Sequence, residues 1–189
     1  MSRLMSLLLI SIIECFAYSK EEIAYMLKKQ ALYSQIDARV LYTVAKIESG
    51  FNPFIISFVS TTNKNFNYDK VVKTTIKPYQ NNKFIVNIES KDVEKLVNIT
   101  KDLIEDGYKV DVGLMQINSQ NFSKSEIKKM FELKTNILKA TEILKLCGIK
   151  YQNIKNTIEC YNKGYRQGEV LTYFNRFKES FNKDFGGVI

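Results

Sequence analysis

"KIESGFNP", residues 46–53, closes an apolar helical stripe on a glutamate and a glycine. Val40, Leu41, Val44 and Ile47 recur at helical spacing behind Asp37, a residue suited to cap the helix start. Glu48 lies four residues after Val44 and seven after Leu41, so a helix places it on the core-facing side. It also falls in the last turn, where unpaired carbonyls carry partial negative charge. Burial and that negative end both disfavour the carboxylate, which makes Glu48 a candidate proton donor near neutral pH. The competing reading is a partly exposed glutamate at a frayed helix end.

Composition narrows the chemistry. The 189 residues suit one domain with a substantial core, and 45% hydrophobic with 25% charged residues is ordinary for a folded protein. Histidine is absent, which removes Ser-His-Asp and Cys-His catalysis and imidazole zinc sites. No glycine-rich phosphate loop occurs, and neither a cofactor nor a metal is expected.

The first nineteen residues read as a signal peptide: Arg3, an apolar run from Leu4 to Phe16 interrupted by Glu14, then Ala17-Tyr18-Ser19. The run is short for a membrane span, and an uncleaved anchor or a buried helix is the alternative. A lipidated Cys15 is the weaker reading, since Glu14 immediately precedes it. Cleavage would remove one basic and one acidic residue, so the net charge stays +8. That charge favours polyanions, an acidic wall polymer among them, although the lysines are scattered as on a solvated face. Cys147 and Cys160 would then be the remaining cysteines, a candidate disulfide in an oxidising compartment, against two buried free thiols.

The pattern predicts helices over residues 20–35, with Ile23, Met26, Leu27 and Ala31 on one side, and from Asp37 to Glu48. Residues 54–90 are rich in Asn, Thr and Lys, with Phe84, Val86 and Ile88 alternating as on a strand, which predicts a small β-hairpin or irregular insertion. Asp92 opens a predicted helix to Glu105, closed by Gly107. Ser123 and Glu126 have capping-box spacing. A helix from Thr135 to Gly148, a short one over 156–161 and a last one over 168–181 complete an α+β, predominantly α-helical domain.

Two further stretches join Glu48. "GLMQIN", residues 113–118, sets Gln116 and Asn118 in an apolar segment, and "CYNKGY", residues 160–165, sets Tyr161 and Asn162 before Gly164. Each alone reads as core or as a helix end. In this order, Glu48-Ser49, "GLMQIN" and "YNKG" resemble the lysozyme-like lytic transglycosylases that cleave peptidoglycan. The run "EDGYKVDVGLMQINSQNF", residues 105–122, is most similar to the small transglycosylases of type IV secretion systems. The resemblance implies a lysozyme-like fold over residues 20–189, glycan strands as substrate, and secretion-system components as partners. It implies Glu48 as catalytic acid/base, with Met115 and Gln116 lining the sugar groove and Tyr161 near the carboxylate. It adds Ser49, Gly113, Asn118 and Asn162 as motif positions. Lys163 departs from the pattern, standing where a small residue is common, and the spacing from Glu48 to Gly113 is long.

Most glycosidases use two carboxylates. Asp111 is the candidate partner, against a bland reading as a loop or capping residue, with Glu89 and Asp69 weaker. One acid working alone fits substrate-assisted chemistry on an N-acetylated sugar. The alternatives are a hydrolytic lysozyme using Glu48 with Asp111, and a wall-binding scaffold without catalysis. A specific nucleic-acid binder is disfavoured, because no element clusters Arg with aromatics. Membrane contact is expected only through an uncleaved signal segment.

Overall fold

The computed structural model describes residues 18–63, 66, 68, 70–165 and 171–187. Most of the expected signal segment, Asp69, and residues 168–170 at the expected start of the last helix lie outside the described residues. Tyr18 and Ser19 belong to the packed domain. The Tyr18 ring stacks on Phe54 with centroids 5.7 Å apart, and Ser19 caps the first helix in a reciprocal box with Glu22.

The architecture is α+β and mostly helical. Helices α1 (Lys20–Ser34) and α2 (Ala38–Ser49) precede strands β1 (Ile55–Ser60), β2 (Lys73–Tyr79) and β3 (Lys83–Glu89). Helix α3 (Val93–Glu105) leads to two short strands, β4 (Val110–Val112) and β5 (Ile117–Asn118). After 3-10 turns between residues 119 and 131 come α4 (Leu133–Tyr151), α5 (Ile154–Lys163) and α6 (Thr172–Phe185). The strands form one antiparallel sheet in the order β2-β3-β1-β4-β5. One core joins the layers, with Leu41, Val44, Ile56, Phe58, Ile88, Leu96, Leu114 and Phe177 buried in it.

Local chemistry explains the helix bounds. Asp37 Oδ1 accepts the Arg39 amide at 2.8 Å to start α2, and Gly50 ends it at φ +62°. Asp92 Oδ1 accepts the Lys95 amide at 3.0 Å to start α3. The Ser123–Glu126 box forms, around a 3-10 turn.

Three expectations need correction. The insertion is more than a hairpin. Residues 54–90 supply three strands, and the sheet continues into the "GLMQIN" region, because Val110 and Val112 pair with Phe58 and Ile56 of β1. Gly148 does not stop α4, which runs on to Tyr151 and ends at Gln152 with φ +52°. A glycine inside a helix costs only about 1 kcal/mol relative to alanine, and packing against α5, whose Thr157 covers Gly148, offsets it. Helix α5 begins earlier than its apolar pattern suggests, because Asn153 Oδ1 accepts the Asn156 amide at 2.9 Å.

Cys147 of α4 and Cys160 of α5 form a disulfide, with Cα atoms 5.8 Å apart. Closing a loop of sequence separation 13 restricts the unfolded chain. Replacing both cysteines with alanine should lower the unfolding free energy by about 3 kcal/mol in the chain-entropy account, read as an earlier urea midpoint. The two thiols of the parent chain should resist alkylation until reduced.

Candidate active site

The end of α2 meets the turn between β4 and β5, and the site forms at that junction. Gly113 opens the turn at φ +80°, and a Cβ there would meet Met130 O at 2.5 Å and Asn136 Nδ2 at 2.6 Å. Only glycine combines that backbone with that contact. Asn136 of α4 is buried and fixes the turn through three hydrogen bonds. Its Oδ1 accepts the Met115 amide at 2.7 Å, and its Nδ2 donates to Val112 O at 2.9 Å and Met130 O at 2.8 Å.

The three sequence motifs interlock around this turn. Ser49 Oγ lies 2.7 Å from Leu114 O, tying α2 to it. Tyr161 of α5 donates its hydroxyl to Met115 O at 2.7 Å. Gln116, in the left-handed region at φ +47°, folds its amide back to donate to Gly113 O at 2.8 Å. An open cleft of about 480 Å³ faces the junction, lined by Glu48, Asp111, Gln116, Asn118, Tyr161 and Asn162 among others. Ser49, Gly113 and Met115 are not on its walls. Met115, expected in the groove, has its side chain fully buried, because Asn136 and Tyr161 grip its amide and carbonyl and turn it into the core. These three residues shape the site from behind. Glu89 is likewise taken up elsewhere, accepting from Asn52 Nδ2 at 3.1 Å and pairing with Lys73.

Glu48 keeps a narrow window onto the cleft while protein atoms crowd its carboxyl. Burial pushes its pKa from 4.5 up to about 7. The Tyr173 hydroxyl, which donates to Glu48 Oε1, pulls it down, the neighbouring Asp111 pushes it up, and the Arg176 charge pulls it down. Asp111 lies in β4, and burial raises its pKa from 3.8 to about 6, against the opposing hydrogen bond that Asn118 Nδ2 donates at 2.8 Å. Burial holds both phenols, Tyr161 and Tyr173, far above their ordinary range, so they stay neutral donors. The cleft thus holds two carboxyl groups that both resist ionisation, one gripped by a phenol. Such an arrangement can deliver a proton near neutral pH. Among the described residues no cluster of three or more His, Cys, Asp or Glu could hold a metal ion. None of their helices is long and apolar enough to cross a membrane.

The sequence does not mark Tyr173, Asn136 or Arg176 as site residues, and Tyr173 reads there as one member of the apolar stripe of the last helix. Tyr173 sits in the apolar stripe of α6 with Phe174, Phe177 and Phe181, where its one signal is a hydroxyl among phenylalanines. Asn136 was visible only as a polar residue beside the α4 stripe.

A family model described as Transglycosylase SLT domain matches residues 25–184. No significant match was found among curated proteins or among solved structures.

The raised pKa of Glu48 has a signature in stability. In the unfolded chain Glu48 ionises near 4.5, while in the fold it holds its proton to about 7. Over that window the folded state binds the extra proton, so the contribution is complete below 4.5 and is lost as pH rises through 7. The loss amounts to about 2–3 kcal/mol after allowing for water at the cleft window. Glu48→Gln removes this slope. In urea titrations at several pH values, the variant should gain stability relative to the parent from pH 4.5 to pH 7.

Proposed function

The chain belongs to the transglycosylase SLT-domain family and is a peptidoglycan lytic transglycosylase, and we propose that Glu48 is its acid and then its base. One arrangement carries this reading: a carboxyl crowded by protein atoms, which push it up to about 7, held by Tyr173 at the foot of the cleft. The protonated Glu48 gives its proton to the glycosidic oxygen between N-acetylmuramic acid and N-acetylglucosamine, and the C1–O bond breaks. The substrate's N-acetyl group steadies the cation at C1. Glu48 is now a carboxylate, and the Tyr173 hydroxyl bond favours that form. The carboxylate takes the proton of the substrate's own C6 hydroxyl, whose oxygen closes on C1 to leave a 1,6-anhydro end. Effective molarities of about 10⁵ M or more favour that internal attack over water.

Asp111 supports a second reading. It lines the same cleft and acts on the charge of Glu48, so it could hold a water and make the enzyme a hydrolytic lysozyme. Two features weigh against this. Asn118 occupies Asp111 Oδ1, and a carboxyl pushed to about 6 holds its proton further into the working range than a free aspartate.

The setting we propose is the bacterial envelope, with the protein exported by its first nineteen residues and opening the wall locally for a secretion or conjugation apparatus. The run at residues 105–122 and the signal-peptide pattern support it. Its partners would then be glycan strands and components of that apparatus.

Glu48→Gln should reduce muropeptide release from purified peptidoglycan by at least about 10²-fold with the fold intact. Undiminished release would remove Glu48 from the acid role, and a parent protein with no activity would favour a scaffold. The parent should lose activity as pH rises past about 7. Mass spectrometry of its digest should show muramyl ends lighter by one water. Reducing ends would favour the hydrolytic reading.

A further inference from the structure

We propose that Glu159, outside the cleft, is a positioning residue for Glu48: it anchors the first turn of α6 and so sets the Tyr173 hydroxyl against the Glu48 carboxyl. Glu159 is 6% exposed, an unusual place for a carboxylate. Its Oε2 accepts the backbone amide of Phe174 at 2.7 Å, and its Oε1 lies 2.6 Å from Lys163 Nζ, one turn along α5. Phe174 is in the first turn of α6, where amides lack intrahelical partners. The residue at the cap position, Leu171, offers no side-chain acceptor. A side chain from α5 therefore serves as the cap of α6, and its negative charge suits the positive end of that helix.

Tyr173 immediately precedes Phe174. Besides the Tyr173–Glu48 bond, the polar ties from α6 to α2 among the described residues lie further along, where Arg176 Nη2 donates to Ile47 O at 3.2 Å and Asp184 pairs with Lys46 at 2.5 Å. Of these polar ties, only the Glu159 bond grips the backbone of the turn that carries the phenol. Its other end is firm, because α5 is fixed by its next two residues, Cys160 through the disulfide and Tyr161 through Met115 O. The Lys163 that departs from the family pattern is the cation that accompanies Glu159.

Releasing this anchor should loosen the Tyr173–Glu48 hydrogen bond. That bond favours the carboxylate, so Glu48 should then ionise at higher pH. Among the described residues, the other groups that act on the Glu48 charge are Asp111 from β4, Tyr161 from α5 and Arg176 from α6, none of them substituted in the Glu159 variants, and Lys109 and Lys163 line the same cleft.

The test follows Glu48 directly by carbon-13 NMR of the chain labelled at glutamate carboxyls, with its resonance assigned by its loss in Glu48→Gln. Glu159→Ala should raise the Glu48 midpoint by about 0.5–1 pH unit, in the direction of Tyr173→Phe. Adding Glu159→Ala to Tyr173→Phe should move it no further. Glu159→Gln, whose amide oxygen can still accept from Phe174, should stay close to the parent. Glu159→Asp, which retreats by one methylene, should fall between and supplies a folded variant should alanine unfold the chain. A Glu48 midpoint that stays put in folded Glu159→Ala, or in Glu159→Asp should alanine unfold the chain, or effects of Glu159→Ala and Tyr173→Phe that simply add, would overturn the proposal. The kinetic counterpart rests on Glu48 as the acid: the alkaline limb of kcat/KM should move with the NMR midpoint while KM holds. Should Glu48→Gln retain activity, the acid assignment fails and the NMR comparison still decides the role of Glu159.

Discussion

The three hydrogen bonds of Asn136 are the constraint on which the site depends. They tie the β4–β5 turn, at Val112 and Met115, to Met130 of the 3-10 turn before α4, and the close approach they require leaves no room for a Cβ on residue 113. A buried amide this fully used is worth far more than its net hydrogen-bond energy, since removing it would strand three buried backbone groups at about 1–3 kcal/mol each. Once the turn is fixed, its carbonyls become docking points. Leu114 O receives Ser49 from α2 and Met115 O receives Tyr161 from α5. The helix bearing Glu48 and the helix behind the cleft thus take their places from the same turn.

The acid itself is a compromise between opposed effects. Burial alone would make Glu48 too reluctant to ionise for a base, while Tyr173 and Arg176 alone would make it too willing for a donor of protons. Their balance near 7 suits a group that must give a proton and then take one back. The neutral phenol suits both states, because it can donate to either form of the carboxyl but binds the ionised one better.

Much of this could be read from the residues, and the parts that could not have physical reasons. Helix α2 was legible because cap, stripe and glycine stop agree, and the three motifs announced the residues that meet at the junction. Strands β4 and β5 were hidden, because two or three residues are too few for alternation to register. Gly148 misled because tertiary packing overrode local propensity. Tyr173 and Asn136 lie in or beside apolar stripes, where a hydroxyl or an amide with a distant partner looks like any other core contact. Glu159, next to a cysteine, gives no local sign that its partner is a backbone amide of another helix.

The sheet beside the cleft ends on β2 at one side and β5 at the other. Strand β2 carries Lys73 and Lys77 and places Pro78 opposite Phe84, while β5 is two residues long. A proline offers no amide to a new neighbour, and like charges on two copies would repel as their edges met. Both margins therefore disfavour strand addition. Copies crowded along a polymer would resist zipping edge to edge into aggregates, leaving each cleft to its own strand.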